Sequence, residues 1–373
     1  MDSKNKKPAT AVIHAGLNSP QQGAPFTDGP CFASTFHLKG EADSADYQYA
    51  RFHNPTWTAL EKGLSELEGG ETVIFPSGMA ACAAILSSLL VSGQTIVLPA
   101  DGYYATRAYA EAFLQPNGIN IQLVATTKLL DIDYSDVDLV LIETPSNPLL
   151  DVVDIKRLAD KVHTSGALLA IDNTTATVLG QQPLSLGADI SMSADTKALN
   201  GHSDVVFGHV SSADKQLIER IRLWRKLAGN IPGPMETWMV HRGLATLDLR
   251  LERMCANASK VAAFLNTHSS VKSVRYPGLE SDPSHRVASA QMHHFGFVVS
   301  FDLGEASLAQ TFLNNAALVF EATSFGGLHT MAERRARWGT DDVSQGLIRL
   351  SVGCEHVDDI IHDLECALSK IAK

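Results

Sequence analysis

The chain has 373 residues, 45% of them hydrophobic and 19% charged, with a formal net charge of −11. That length points to two units, or one large unit with an appendage, and the composition excludes disorder and fibrous architectures. The acidic balance leaves no broad basic face for nucleic acid, although it is compatible with a local pocket for one phosphate. Cys31, Cys82, Cys255, Cys354 and Cys366 are odd in number, scattered and without a C-x-x-C, which argues against a disulfide framework or zinc site and for a reducing cytoplasm. Met1–Pro8 lacks the apolar core of a signal peptide, and the most apolar helical stretch, Met79 to Val91, is interrupted by serines and too short for a bilayer. Neither export nor a membrane span is expected.

Residues 1–56 carry prolines, glycines and little periodicity, and read as an extended arm of the kind that crosses onto a neighbouring subunit. From Trp57 to Glu68 the leucines Leu60, Leu64 and Leu67 share one helical face, and Gly69-Gly70 stops the helix. Short apolar runs follow at Thr72–Phe75, Thr95–Pro99, Ile119–Val124, Asp138–Glu143, Ala167–Asp172, Asp189–Ser193 and Val205–Val210. Strands apolar on both faces and joined by helices predict an α/β unit over 57–245, with a mostly parallel sheet covered on both sides. A long helical tract from Thr246 to Leu265 opens the last part, 246–373, where strands at Val271–Tyr276 and Phe297–Leu303 and helices at Leu308–Asn314 and Val357–Ile371 predict a smaller α+β C-terminal domain.

The terminal helix has Glu355, Asp358 and Asp359 in its first turn and Lys370 and Lys373 in its last, complementing its dipole. That pattern accounts for Cys354, His356, His362 and Cys366 without a metal, and their spacing matches no zinc site. The chain contains no G-x-G-x-x-G, Walker A, H-E-x-x-H or G-x-S-x-G.

The residues that carry chemistry sit mostly at strand ends. Tyr49-Ala50-Arg51 puts a phenol and a guanidinium on one side of an extended segment, able to grip phosphate oxygens, or else is a surface arginine before the Asn54-Pro55 turn. Ser77-Gly78-Met79 lies between a strand and a helical run, so its amides point at an anion unless it is a plain connection. Tyr103, after the strand Thr95–Pro99, can lay a ring over a planar cofactor or belong to the core; Asn147 offers a strand-end amide or a turn residue. Ala167–Asp172 ends in an acid, and about 25 residues later Ser193-Ala194-Asp195-Thr196-Lys197 delivers a lysine at a strand end. An amine that captures a carbonyl and an acid that pairs with a pyridinium nitrogen are the two groups a pyridoxal phosphate site needs most. Taken singly, they are equally a surface lysine and a helix-capping aspartate. Arg349 lies in an apolar strand and needs an anionic partner there, either a substrate carboxylate or a structural Asp or Glu.

In this order the motifs resemble the pyridoxal phosphate enzymes of cysteine and methionine metabolism: cystathionine γ-lyases, cystathionine β-lyases, cystathionine γ-synthases and methionine γ-lyases. The likeness runs from His14-Ala15-Gly16 through Tyr49-Ala50-Arg51, Ser77-Gly78-Met79, Asp172-Asn173-Thr174 and Thr196-Lys197 to Arg349-Leu350-Ser351-Val352-Gly353. It implies a fold-type-I, aspartate-aminotransferase-like α/β subunit in a homotetramer of two tight dimers, with Tyr49 and Arg51 completing the neighbour's phosphate site. It also implies Lys197 as the cofactor lysine and Asp172 as the partner of the pyridinium nitrogen. Tyr103 becomes the stacking ring and a candidate acid for the leaving sulfur. Asn147 contacts the phenolate oxygen, while Ser77, Gly78, Met79, Thr174 and Thr196 hold the cofactor, chiefly at its phosphate. Arg349, with Ser324 and Asn147, receives the substrate α-carboxylate.

The activity implied is carbon–sulfur lyase chemistry on a small sulfur amino acid, cystathionine γ-cleavage first, with β-lyase, methionine γ-lyase and γ-synthase as alternatives. A low-turnover cofactor-binding protein with a regulatory role is the reading from another class. Three positions depart from the family pattern: Ala194 stands where a phosphate-binding serine is usual, and Thr323 and His329 stand where γ-specific members carry glutamates.

Overall fold

A computed structural model describes residues 6–371; the first five residues of the expected arm and Lys373 of the expected terminal helix lie outside them. Helix α1 (Pro8–His14) and helix α2 (Pro55–Glu68) flank a stretch with little regular structure. Helix α2 begins where the Asn54 side chain accepts the Trp57 N–H and Pro55 fills the first turn, and it ends at Gly69, whose φ of 77° a glycine adopts without strain.

Seven strands make the larger sheet: β1 (Glu71–Phe75), β2 (Thr95–Pro99), β3 (Asn120–Val124), β4 (Leu139–Glu143), β5 (Leu168–Asp172), β6 (Ile190–Ser193) and β7 (Gly208–Ser212). Their order is β1-β7-β6-β5-β4-β2-β3, parallel except for β7, which runs antiparallel to both neighbours. Crossovers are supplied by helices α3 (Gly78–Leu89), α4 (Tyr104–Tyr109), α5 (Ile155–Thr164) and α6 (Thr177–Gly180), while α7 (Lys215–Ala228) and α8 (Pro234–Leu244) follow the last strand. Alternate residues of β4 enter opposite cores: Leu139 and Leu141 pack with α3 and α7, Val140 and Ile142 with α5. Burial on both faces explains why Leu139–Ile142 of β4 reads as an unbroken apolar run.

The expected strand at Val205–Val210 is shifted to Gly208–Ser212. The cause is local: the Thr196 hydroxyl donates to the Phe207 carbonyl and accepts its N–H, so Phe207 belongs to the loop around the lysine rather than to the ladder.

Helix α9 (Leu247–Thr267) leads to a five-stranded sheet of β8 (Ser273–Arg275), β9 (Val298–Asp302), β10 (Phe320–Glu321), β11 (Met331–Arg334) and β12 (Leu347–Ser351), ordered β10-β11-β12-β9-β8. Helices α10 (His285–Gln291), α11 (Ala306–Asn315) and α12 (Val357–Leu368) complete this part. Its core joins Val299, Phe301, Ile348 and Leu350 to Val261, Phe312, Ile360 and Leu364. Helix α12 stops at Leu368, so Lys370 lies beyond its last turn and only Asp358 and Asp359 complement its dipole. Among the described residues no helix is long and apolar enough to cross a membrane.

Candidate active site

Because β1 runs parallel to β6, the C-terminal ends of β1, β2, β4, β5 and β6 all open on one edge of the large sheet. There a cavity of about 460 Å³ is bounded by Ser77, Gly78, Tyr103, Asn147, Asp172 and Lys197 from the large sheet and by Ser324 and Arg349 from the small one.

Strand β1 ends at Phe75, and the Ser77 hydroxyl accepts the Ala80 N–H to start helix α3, leaving the first amides of the helix facing the cavity. The approach is close. A Cβ on Gly78 would lie 2.5 Å from the Ala194 Cβ, and one on Gly208 would lie 2.8 Å from the Gly78 Cα, so only glycine lets the helix start and the lysine turn meet.

Asp172 ends β5, paired in register with Glu143 on β4. Burial raises its pKa, opposed by hydrogen bonds from the Thr174 hydroxyl and N–H. The Thr174 hydroxyl also accepts the Ala194 N–H at 2.8 Å, tying the acid to the turn that carries the lysine. Burial, and then Asp172, push Glu143 well above the usual carboxylate range. The charge on Asp172 thus disfavours ionisation of Glu143 beside it.

The Lys197 amine donates to the Ser324 hydroxyl at 2.7 Å and lies 4.9 Å from the centre of the Phe325 ring. Burial, reinforced by Arg349, lowers it from 10.5 to about 8. An amine in that range keeps a useful unprotonated fraction near neutral pH, as capture of a carbonyl requires. Ser324 itself has a φ of 79°, an uncommon conformation for a residue with a side chain and one that aims its hydroxyl at the amine.

Arg349, buried on β12, donates to the Asn147 side-chain oxygen and to the Ser324 carbonyl, each at 2.9 Å. It also pairs with Glu333, directly opposite on β11. Glu333 in turn accepts from Arg335 at 2.7 Å and from the Trp338 indole at 2.9 Å, and Asp341 closes the chain on Arg335. Burial would raise Glu333, but Arg349 and Arg335 outweigh it and hold it low.

Of the residues singled out from sequence, Ser77, Gly78, Met79, Tyr103, Asn147, Asp172, Thr174, Thr196, Lys197, Ser324 and Arg349 all line this one cavity. Tyr49 and Arg51 do not. Arg51 donates to the Lys226 carbonyl at 2.6 Å, and Tyr49 is exposed. Thr323 lines the cavity, whereas His329 is exposed and meets Phe320 edge-on. Glu143, Arg335, Trp338 and Cys82 also line it and were not assigned from sequence. Glu143 ends the apolar run Asp138–Glu143 as Asp172 ends Ala167–Asp172, and that shared strand-end position is its sequence signal. The rule that a buried guanidinium needs an anion anticipated a partner for Arg349 without identifying Glu333.

The sequence pattern of the family described as Cys/Met metabolism PLP-dependent enzyme matches residues 9–369. A Streptomyces coelicolor protein provisionally named a cystathionine gamma-lyase is 49% identical over 370 residues, covering 97% of this chain and 93% of its own. The cystathionine beta-lyase of Lactococcus lactis subsp. cremoris is 38% identical, covering 97% and 98%. Among solved structures, metB from Corynebacterium glutamicum superposes with a TM-score of 0.95 at 33% identity over the whole of both chains. Cystathionine gamma-lyase from Lactobacillus plantarum, complexed with L-serine, gives 0.93 at 32% identity over 98% of this chain and all of its own.

Proposed function

Since the chain belongs to the pyridoxal-phosphate-dependent enzymes of cysteine and methionine metabolism and is a lyase of that family, we propose that it cleaves the Cγ–S bond of L-cystathionine to cysteine, 2-oxobutyrate and ammonia. The observation that carries the assignment of roles is the meeting of an amine near pKa 8, Lys197, with a buried arginine, Arg349, through one residue, Ser324.

The donor set fits the cofactor. Glycine at 78 and 208 leaves room at the start of helix α3 for a phosphate, which Ser77, Gly78, Met79 and Thr196 would hold. Asp172 is a half-buried acid at the end of β5 on the same cavity as Lys197, suited to keeping a proton on the pyridine nitrogen, with Thr174 fixing its orientation. Tyr103 offers a ring face, and Asn147 an amide between cofactor and Arg349.

Bound pyridoxal phosphate supplies an electron sink for the charge left at the substrate Cα. The protein does the rest. Arg349, braced by Asn147, grips the α-carboxylate and so fixes the Cα–H bond relative to Lys197. Lys197 would hold the cofactor, and its amine, once free, is placed to take the Cα proton. Burial raises the Tyr103 hydroxyl, which keeps it protonated and able to deliver a proton to the leaving sulfur; Lys197 can serve the same step.

Methionine γ-lyase and cystathionine β-lyase activity are the second reading, because Thr323 at the cavity wall offers no carboxylate to a distal ammonium. The arm with Tyr49 and Arg51 outside its own cavity supports an oligomer in which these residues serve a neighbouring subunit, and a cytoplasmic homotetramer is the form proposed. The test is product analysis of the holoenzyme with L-cystathionine. Cysteine plus 2-oxobutyrate is expected; homocysteine plus pyruvate would move the assignment to β-cleavage, and no keto acid would remove it.

A further inference from the structure

Behind the lysine turn lies a cluster that the proposed chemistry does not use. The His209 Nδ1 is 2.7 Å from Asp195 and its Nε2 is 3.1 Å from Glu68, with all three side chains essentially inaccessible to solvent. With both carboxyls ionised each ring nitrogen carries an N–H, and the imidazole is a cation held between two anions; burial raises Asp195, and His209 opposes that rise. Burial opposes that charge, yet the carboxylates outweigh it and lift His209 to about 10. The second oxygens of Asp195 and Glu68 are buried without a hydrogen-bond partner among the described residues.

The cluster's position gives it a task. Asp195 is flanked by Ala194 and Thr196, both on the cavity wall beside Ser77, Gly78 and Met79. His209 sits on β7 opposite Ser193, and Glu68 closes helix α2. Asp195 therefore places a carboxylate immediately behind the wall where the cofactor phosphate is assigned, and Ala194 offers no hydroxyl in front of it. A buried ion cluster is a poor device for stability alone, because desolvation offsets most of the attraction.

We propose that His209 is a positioning residue for the cofactor phosphate: by pairing with Asp195 and Glu68 it offsets one of the two negative charges behind the phosphate site and fixes the turn that presents Ala194, Thr196 and Lys197. The proposal rests on the phosphate lying at the start of helix α3. Without the cation, Asp195 opposes the phosphate across a weakly screened interior, where like charges a few residues apart change affinity by roughly tenfold or more.

The test uses the apoprotein titrated with pyridoxal phosphate and, separately, with pyridoxal, following ligand absorbance. Native protein binding the phosphate ester no more tightly than pyridoxal would remove the phosphate assignment, and this proposal with it. With that difference present, His209→Gln is expected to weaken pyridoxal phosphate about tenfold while pyridoxal changes less than about threefold, and Asp195→Asn/His209→Gln to restore the loss. Asp195→Asn alone, which keeps the cation, is expected to tighten pyridoxal phosphate severalfold, and it serves if His209→Gln does not fold. An equal loss for both ligands in His209→Gln, or unchanged affinity in Asp195→Asn, overturns the proposal and leaves the phosphate assignment standing.

Discussion

Lys197 costs the apoprotein stability at neutral pH, and its removal measures how much. The depression from 10.5 to about 8 corresponds to roughly 3 kcal/mol at about 1.4 kcal/mol per tenfold. The sign follows from proton counts. Between pH 8 and 10.5 the unfolded chain holds the proton and the folded chain does not, so stability rises with pH through that window and the full cost is present below it. Lys197→Met keeps the length of the side chain and removes the charge, but forfeits the hydrogen bond to Ser324, worth about 1 kcal/mol. Urea unfolding of the two apoproteins should find Lys197→Met more stable by about 2 kcal/mol at pH 7, with the advantage vanishing by about pH 10. A variant no more stable than the native apoprotein at pH 7, or an advantage that does not change with pH, would refute the argument that burial, with Arg349 beside it, holds this amine low.

Arg51→Ala is expected to weaken pyridoxal phosphate binding by roughly 1.5–3 kcal/mol, a charge-assisted contact supplied from the neighbouring subunit; a monomer that binds the cofactor as tightly as the oligomer would exclude this. Thr323→Glu should sharpen the preference for L-cystathionine over L-methionine by about one to two decades in kcat/KM, by restoring a charged partner for a distal ammonium. A native preference already strong and unmoved by the substitution would assign that recognition elsewhere. Glu333→Gln should destabilise the protein by about 3 kcal/mol, since it leaves the buried Arg349 without its carboxylate while Arg335 keeps Asp341; denaturant midpoints equal to the native protein's would contradict it.

What the sequence could reveal depended on how local the signal was. Asp172 and Lys197 were legible because the one ends and the other closely follows a short strand, and strand ends in such sheets face ligands. Their meeting with Arg349 was not, since nothing between residues 198 and 348 encodes which edge the second sheet presents. Strands β10 and β11 have two and four residues and no alternation, so Glu333 had no periodicity to mark it. The antiparallel run of β7 was likewise hidden: strand direction is set by where the connecting loop returns, and here that loop is pinned by Thr196 on Phe207. Helix α7 is capped by Asp214 and Gly229, a local signal for an element that apolar runs alone do not mark.

Helix α9 grips both sides of the cavity from one face. Arg250 donates to the carbonyls of Ala198 and Leu199, just past the lysine, and Asn257 donates to those of Gly353 and Glu355, just past the strand of Arg349. Seven residues separate the two grips, two turns and about 10 Å along the axis. The helix therefore acts as a gauge bar between Lys197 and Arg349. An inserted or deleted residue between Arg250 and Asn257 would alter that spacing, and rotate one grip by about 100° relative to the other, while leaving every residue on the cavity wall unchanged.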